Sequence, residues 1–348
     1  MTTTRWSVSM SVLTVVLALS ACSRPTAYQQ TVFVFGTLVD VTLWGLPRPQ
    51  AREHVAYLSG QFRQMHQDWH AWQPGALSEL NTAIREGRSV AVKPSLLPLL
   101  EQSTLLYRRS QGLFNPAIGQ LIGLWGFHQD DPADGRPPPE ASRLDALVKS
   151  NPGMDDLTLE GERVTSRNRD VQLDFGGFAK GYAVDWAINA LQKRGVENAI
   201  VNAGGDLRAI GSKGGEPWRI GVRHPQGKGV LAAIEVQGDE SVFTSGNYER
   251  YKEHEGVRYA HIIDPRTGRP VTGITSVTVI HDNGAEADAA ATALVVAGAE
   301  AWPQIAQSMG IRYVMLVEEN GTVHMNPAMQ ERVTFQSDAP PLRISTIR

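Results

Sequence analysis

One cysteine, Cys22, is present in 348 residues, and that scarcity limits how the chain can be held together. A disulfide needs two sulfurs, and most structural zinc sites use several. Stability must then come from buried apolar side chains, and an apolar fraction of 42% is enough for a large core. Chemistry must come from carboxylates, histidines, hydroxyls, lysine or a bound cofactor. The formal charge of −3, without a basic stripe, gives no reason to expect nucleic acid.

The position of Cys22 matters as much as its solitude. Arg5 precedes an apolar run, Met10 to Leu19, of roughly ten residues, well short of the ~20 that span a bilayer. Leu19-Ser20-Ala21-Cys22 resembles a bacterial lipobox, in which the Cys sulfur is lipidated and becomes the mature N-terminus. A plain cleaved signal with a chance cysteine is the alternative. The expected organisation is a lipoprotein signal peptide at 1–21, a lipid-anchored tether at 22–30, one folded domain at 31–336 and a C-terminal tail at 337–348. The chain is then expected outside the cytoplasm, on a membrane surface.

Thr31 to Trp44 alternates and is rich in β-branched and aromatic residues, which predicts strands broken at Gly36. Glu53–Asp68, Ala76–Arg85 and Leu96–Ser110 read as helices. Asp130–Pro139 reads as a surface loop, and its Pro and Gly content suggests a join between two lobes. Further on, Val171–Asp174 reads as a short strand and Phe178–Arg194 as a helix. Strands are expected at Ala199–Val201, Leu207–Ile210, Trp218–Val222, Leu231–Val236, Thr275–Ile280 and Tyr313–Val317, with an alanine-rich helix at Glu286–Ala301. The fold class is α+β, with mixed sheets flanked by helices in two lobes.

Four segments could carry chemistry. In Leu173-Asp174-Phe175-Gly176-Gly177-Phe178-Ala179-Lys180-Gly181, a strand turns on glycines into a helix. Glycines let the main chain approach a ligand, and a helix start offers free N–H groups to an anion. Lys180 in the first helical turn opposes the helix dipole, which a phosphate would offset. A phosphate site and a tight turn with a solvated lysine are both compatible with the spacing. Asp288 and Thr292 share a helical face and could offer oxygens to a hard cation such as Mg²⁺. Taken alone, that segment reads more simply as an acidic helix start with a buried threonine. His261 leads Ile262-Ile263-Asp264-Pro265-Arg266, which is either a hairpin turn or a general base near the site. Asn202-Ala203-Gly204-Gly205-Asp206 reads as a structural turn. The spacings of a Walker A loop, a zinc protease helix and a serine hydrolase elbow are all missing.

Together these segments resemble the FAD:protein FMN transferase (ApbE) family. The resemblance is carried, in order, by FGT from Phe35, WQPGALSELN from Trp72, GLFNPAIGQLIGLWGF from Gly112, LDFGGFAKGYAVD, NAGGDLRAIG, TSGNYERY, HIIDPRTGRP and EADAAATAL. It covers nearly all of the chain after the signal. The lipobox agrees with it, because many members resemble periplasmic lipoproteins.

The resemblance implies an enzyme that binds FAD and Mg²⁺, transfers FMN to a threonine hydroxyl of an acceptor protein and releases AMP. The acceptors implied are subunits of membrane redox complexes, with the threonine in a pattern like Asp-x-x-Ser/Thr-Gly-Ala/Ser-Thr. The alternatives are an FAD pyrophosphatase, in which water attacks, and a lipid-anchored flavin-binding protein without turnover. The implied location is the periplasmic face of the inner membrane, with the outer membrane left open. By the same resemblance, the isoalloxazine packs near Phe35 and Trp72. Leu113, Phe114, Asn115, Asp174, Lys180 and Ile263 match further FAD contacts. Asp288, Thr292 and the carbonyl of Gly177 match metal ligands, and Ala291 stands where some members have a second acid. His261 is the expected general base, with Asp264 and Asp174 as alternatives, and Lys180 the expected electrostatic stabiliser.

Overall fold

The alternating runs build one large sheet. In this computed structural model, which describes residues 26–129, 136–225, 227, 229–236, 238–336 and 340–347, nine strands lie side by side. They are β1 (Ala27–Val34), β2 (Thr37–Trp44), β3 (Ala199–Ala203), β4 (Asp206–Gly211), β5 (Gly238–Gly246), β6 (Ile274–His281), β7 (Tyr313–Glu318), β8 (Val323–Met325) and β9 (Leu342–Ile344). Their spatial order is their chain order. All neighbours are antiparallel except β8 and β9. Cys22 and the signal lie outside the described residues.

Side chains along each strand alternate between the two faces of the sheet. Val41, Leu43, Val201, Val277, Val279 and Leu316 join one core with helices α1 (Arg48–Trp69), α2 (Ala76–Glu86), α3 (Leu97–Arg109), α6 (Ala179–Lys193) and α7 (Gly284–Met309). Leu207, Ala209, Val242, Ile280 and Met315 face the other way. They pack under a three-stranded sheet of Trp218–Arg223, Val230–Val236 and Val333–Phe335. A small third cluster joins α4 (Gly119–Trp125), α5 (Ala141–Ser150) and Ile263. Residues from both sides of the 130–139 segment meet in the first core, so the two hydrophobic halves are opposite faces of one sheet. They are not separated at that loop.

Several boundaries differ from expectation. β1 begins at Ala27, inside the expected tether, and the expected tail contributes β9. Val171–Asp174 is not a strand, and only Gln172 bridges, to Ile118. The reason is local: the amide of Asn81 donates to the Leu173 carbonyl at 2.9 Å and accepts from its N–H at 2.7 Å, so Leu173 has no groups left for a ladder. Helix α7 starts earlier, capped by the Asn283 side chain, and runs on through Pro303. It kinks at Gly298, whose φ of 76° only glycine adopts without strain. Helices α4 and α5 were not expected; α4 is seven residues long and carries Gly119 and Gly123, which weaken a helical reading.

Helices α6 and α7 cross where both are bare. A β-carbon on Gly181 would lie 2.2 Å from the carbonyl oxygen of Gly284. Gly181→Ala should therefore force the helices apart and cost about 1–3 kcal/mol, seen as a lower urea midpoint in equilibrium unfolding. An unchanged midpoint would show that the crossing is slack.

Candidate active site

The antiparallel order brings three chain segments to one end of the sheet: the Phe35-Gly36 turn, the Gly204-Gly205 turn and the end of β5 at Gly246. The start of α6 meets them there. Lys180 Nζ lies 2.6 Å from Asp206 Oδ2 and 3.6 Å from Asp288 Oδ1. Asp206 also accepts the Thr244 N–H at 3.0 Å, and Asp288 the Gly181 N–H at 3.0 Å. The two carboxylates are 8% and 3% exposed, so the ammonium is their necessary counter-charge. Burial alone would push Lys180 down, but Asp206 and Asp288 outweigh it and hold its pKa above the usual lysine value. Burial pushes Asp288 up, opposed by Lys180.

Thr292 lies one turn beyond Asp288 on α7, and its Oγ1 has the Ser245 hydroxyl at 3.3 Å. A β-carbon on Gly177 would lie 3.0 Å from that Oγ1, so the glycine turn lies directly against it. Among the described residues no cluster of three or more His, Cys, Asp or Glu could hold a metal. One carboxylate, one hydroxyl and one carbonyl nevertheless suit Mg²⁺, which is held by few protein oxygens when ligand phosphates complete its shell. The residues present therefore fit that ion.

Helix α7 is fixed by a second ion cluster. Asp185 on α6 accepts the N–H groups of Gly284 and Ala285, each at 3.0 Å, and pairs with Arg208 at 2.8 Å. Arg208 in turn makes a two-toothed pair with Asp239 at 2.7 and 2.9 Å. Asp185 thus caps the helix that carries Asp288 and ties it to the helix that carries Lys180.

Two aromatic groups stand apart from this ion cluster. Phe35 has φ of 56° and Gly36 φ of 70°, the pattern of a two-residue hairpin turn that disfavours a bulky first residue. The turn aims the Phe35 ring at Phe62, His66 and Trp69, with the Trp69 ring stacked at 6.2 Å. Trp72 stacks on His128 at 4.3 Å, and its Nε1–H donates to Asp174 Oδ2 at 2.7 Å. The other oxygen of Asp174 accepts the Gly176 N–H at 2.8 Å, so Asp174 braces the glycine turn.

The remaining expected residues divide. Leu113 and Phe114 face the core, 7% and 3% exposed, while Asn115 donates to the Pro152 carbonyl and accepts from Ala117. Their side chains brace a loop. Ile263 is buried against the third cluster. His261 Nδ1 lies 3.0 Å from the Arg250 carbonyl, so Nδ1 carries the proton and Nε2 keeps its lone pair. Burial pushes its pKa down to about 4, aided by the charges of Arg250 and Lys180, which places it within the field of the ion cluster. Asp264 is held by Arg266 at 2.7 Å, and Asp174 is engaged as above, so neither alternative base is free.

Three residues escaped the sequence reading: Asp206, Ser245 and Glu249. Asp206 sits in the NAGGD segment read as a mere turn. Burial and Asp206 push Glu249, in the TSGNYERY segment, up to about 7 although its residue reaches solvent. An acidic residue directly after a double glycine, and a Ser before Gly246 with a Glu three residues after it, were the available signals.

A strand end, a glycine turn and a helix start thus enclose a lysine between two buried acids. A model of the ApbE family matches residues 35–315. The FAD:protein FMN transferase of Rhodobacter capsulatus is 47% identical over 322 residues, covering 91% of this chain and 60% of that protein. A solved ApbE protein from Thermotoga maritima superposes with a TM-score of 0.80 at 30% identity, covering 88% of this chain and 99% of that one. The flavin transferase ApbE of Vibrio cholerae gives 0.76 at 28% identity, with the same shares. The chain belongs to the ApbE family.

Lys180→Met should leave Asp206 and Asp288 buried without a counter-charge and destabilise the fold by about 3–5 kcal/mol. Adding Asp206→Asn should restore part of that loss, as read by thermal unfolding; a double variant no better than the single would refute the pairing. His261 supplies a pH test. Its folded pKa is below the unfolded one, so below about 6.5 the unfolded chain takes up a proton that the folded chain refuses. The stabilisation is complete above that pH and is lost as pH falls toward about 4. His261→Asn should flatten this part of a pH-dependent stability curve, and an unaltered slope would count against an imidazole held neutral in the folded chain.

Proposed function

We propose that this protein is a Mg²⁺-dependent FAD:protein FMN transferase that moves the FMN portion of FAD onto a threonine hydroxyl of an acceptor protein and releases AMP. The observation that carries this reading is the placement of Lys180, at a glycine-turn helix start, between Asp206 and Asp288. Such a centre suits a diphosphate, whose cleavage demands neutralisation of charge on the equatorial and departing oxygens. Mg²⁺ held by Asp288, Thr292 and the Gly177 carbonyl would supply further neutralisation of the diphosphate.

The chain's own residues account for the rest. Lys180 stabilises charge on the leaving phosphate. Asp206 and Asp288 keep the ammonium fixed, so little reorganisation is needed during reaction. His261, neutral at physiological pH with Nε2 unprotonated, accepts the proton of the incoming threonine hydroxyl. Asp174 holds the Trp72 indole beside the glycine turn, where a flavin ring can stack. The signal and Cys22 support a lipid-anchored protein on the periplasmic face of a membrane, next to a redox complex that carries the acceptor.

Purified protein given FAD, Mg²⁺ and a threonine-bearing acceptor domain should add the mass of FMN to the acceptor and release AMP in equal amount. AMP without flavinylated acceptor would point to a pyrophosphatase, and FAD binding without either product to a flavin carrier. Asp288→Ala should abolish Mg²⁺-dependent turnover. His261→Ala should slow transfer by roughly 10²–10⁴-fold while FAD still binds. Full activity in either variant would remove that residue from the mechanism.

A further inference from the structure

The chain enters the large sheet at the end opposite the active site. The site lies at the end marked by the Phe35-Gly36 and Gly204-Gly205 turns. At the other end Ala27 opens β1 opposite Trp44 of β2, and the Trp44 N–H donates to the Asn198 carbonyl at 3.0 Å, just before β3. Helix α6 spans the same two ends. Lys180 meets Asp206 at the site, while Gln192, near the helix end, reaches Asp239 at 3.3 Å. Asp239 is the register partner of Ile210, at the far end of β4.

Cys22 lies outside the described residues, but its place in the chain bounds its distance from the fold. Five peptide steps separate it from Ala27, and an extended chain covers at most about 3.6 Å per residue, so the two are no more than roughly 18 Å apart. A lipid on Cys22 therefore keeps this end of the sheet close to a bilayer. The surface around the entry has a matching chemistry. Trp44 is half-buried, with Lys213 Nζ 5.7 Å from its ring. Arg48 at the start of α1 and Lys193 and Arg194 at the end of α6 are exposed nearby, Arg194 lying over the Tyr57 ring at 3.7 Å. Against these four cations stand two exposed carboxylates, Glu197 and Glu216, while Arg52 and Glu53 one turn along α1 offset each other. Indole rings and the methylene stems of Lys and Arg settle at headgroup level, and their charges are drawn to lipid phosphates.

We propose that this end of the protein, around Trp44 and Lys213, rests on the phospholipid surface in which Cys22 is anchored, so that the active site opens on the far side. This rests on the lipid-anchor reading of Cys22. The eight residues of β1 rise about 3.3 Å each, so the Phe35 turn stands roughly 25 Å beyond Ala27. The cluster of Lys180, Asp206 and Asp288 is held off the bilayer by about that height, away from any threonine lying among the headgroups. The acceptor that fits is a domain that projects its threonine well above the membrane.

The test uses the full, lipidated chain in vesicles of mixed neutral and anionic phospholipid that carry a nitroxide on a headgroup. Cys22 is the only native cysteine, so with its sulfur acylated a single introduced cysteine takes a fluorophore uniquely. Gln50→Cys labels the exposed first turn of α1, and Leu38→Cys labels the site end, where Leu38 is 57% exposed. Nitroxide quenching should be about threefold stronger for the label at 50 than for the label at 38. Arg194→Glu combined with Lys213→Glu should cut that ratio by about half. Equal quenching at the two positions, or stronger quenching at 38, would overturn the orientation and leave the anchor in place. So would a ratio unmoved by the charge reversal, or a dimer of the detergent-solubilised chain in sedimentation that the reversal abolishes. A chain whose Cys22 is unmodified by mass spectrometry, and which stays in the aqueous phase, would overturn the anchoring reading and this proposal with it.

Discussion

The contact between Lys180 and its two carboxylates holds the site in one piece. Asp206 comes from the sheet, Asp288 from α7 and Lys180 from α6. Three elements are tied at one point by an ion cluster whose two carboxylates are nearly cut off from water. In that setting an unpaired member is far more costly than an exposed ion pair is beneficial. The same charges that a diphosphate would use are thus the ones that fix α6 and α7 relative to the sheet. Binding chemistry and local architecture are not separable at this site.

Around that point the protein adds rigidity in layers. Asp185, Arg208 and Asp239 clamp the start of α7, while Asp174 holds both the glycine turn and the Trp72 indole. The bare crossing of Gly181 on Gly284 lets the two helices approach until main chain meets main chain. Each device removes a degree of freedom from a group at this site, which is how preorganised electrostatic sites avoid reorganisation.

Much of this was legible in the residues. The alternation of Thr31–Trp44 and Thr275–Ile280 appears as β1, β2 and β6, and Asp288 and Thr292 do share one face of α7. Lys180 stood out because a cation in a first helical turn is out of place without a partner. Its partner Asp206 was not legible, since the contact depends on how α6 lies across β4 and not on local spacing. The strand expected at Val171–Asp174 failed for a similar reason: the Asn81 side chain, remote in sequence, takes the main-chain groups that a ladder would need. The bracing role of Asn115 was equally hidden, because it depends on Pro152 being close in space.

The agreement between chain order and strand order bears on how the molecule assembles. From β3 to β8 each strand is laid against its immediate predecessor in the sheet, so growth there closes modest loops. The join of β2 to β3 is different, because Trp44 and Ala199 bracket α1 to α6. Loop-closure entropy rises only slowly with length, so this long excursion weighs little on final stability. It weighs more on speed, because distant pairings must form before they are rewarded. The β1–β2 hairpin should accordingly be the last part of the sheet to dock. A chain re-cut within the excursion, with its old termini joined, would exchange that slow closure for another.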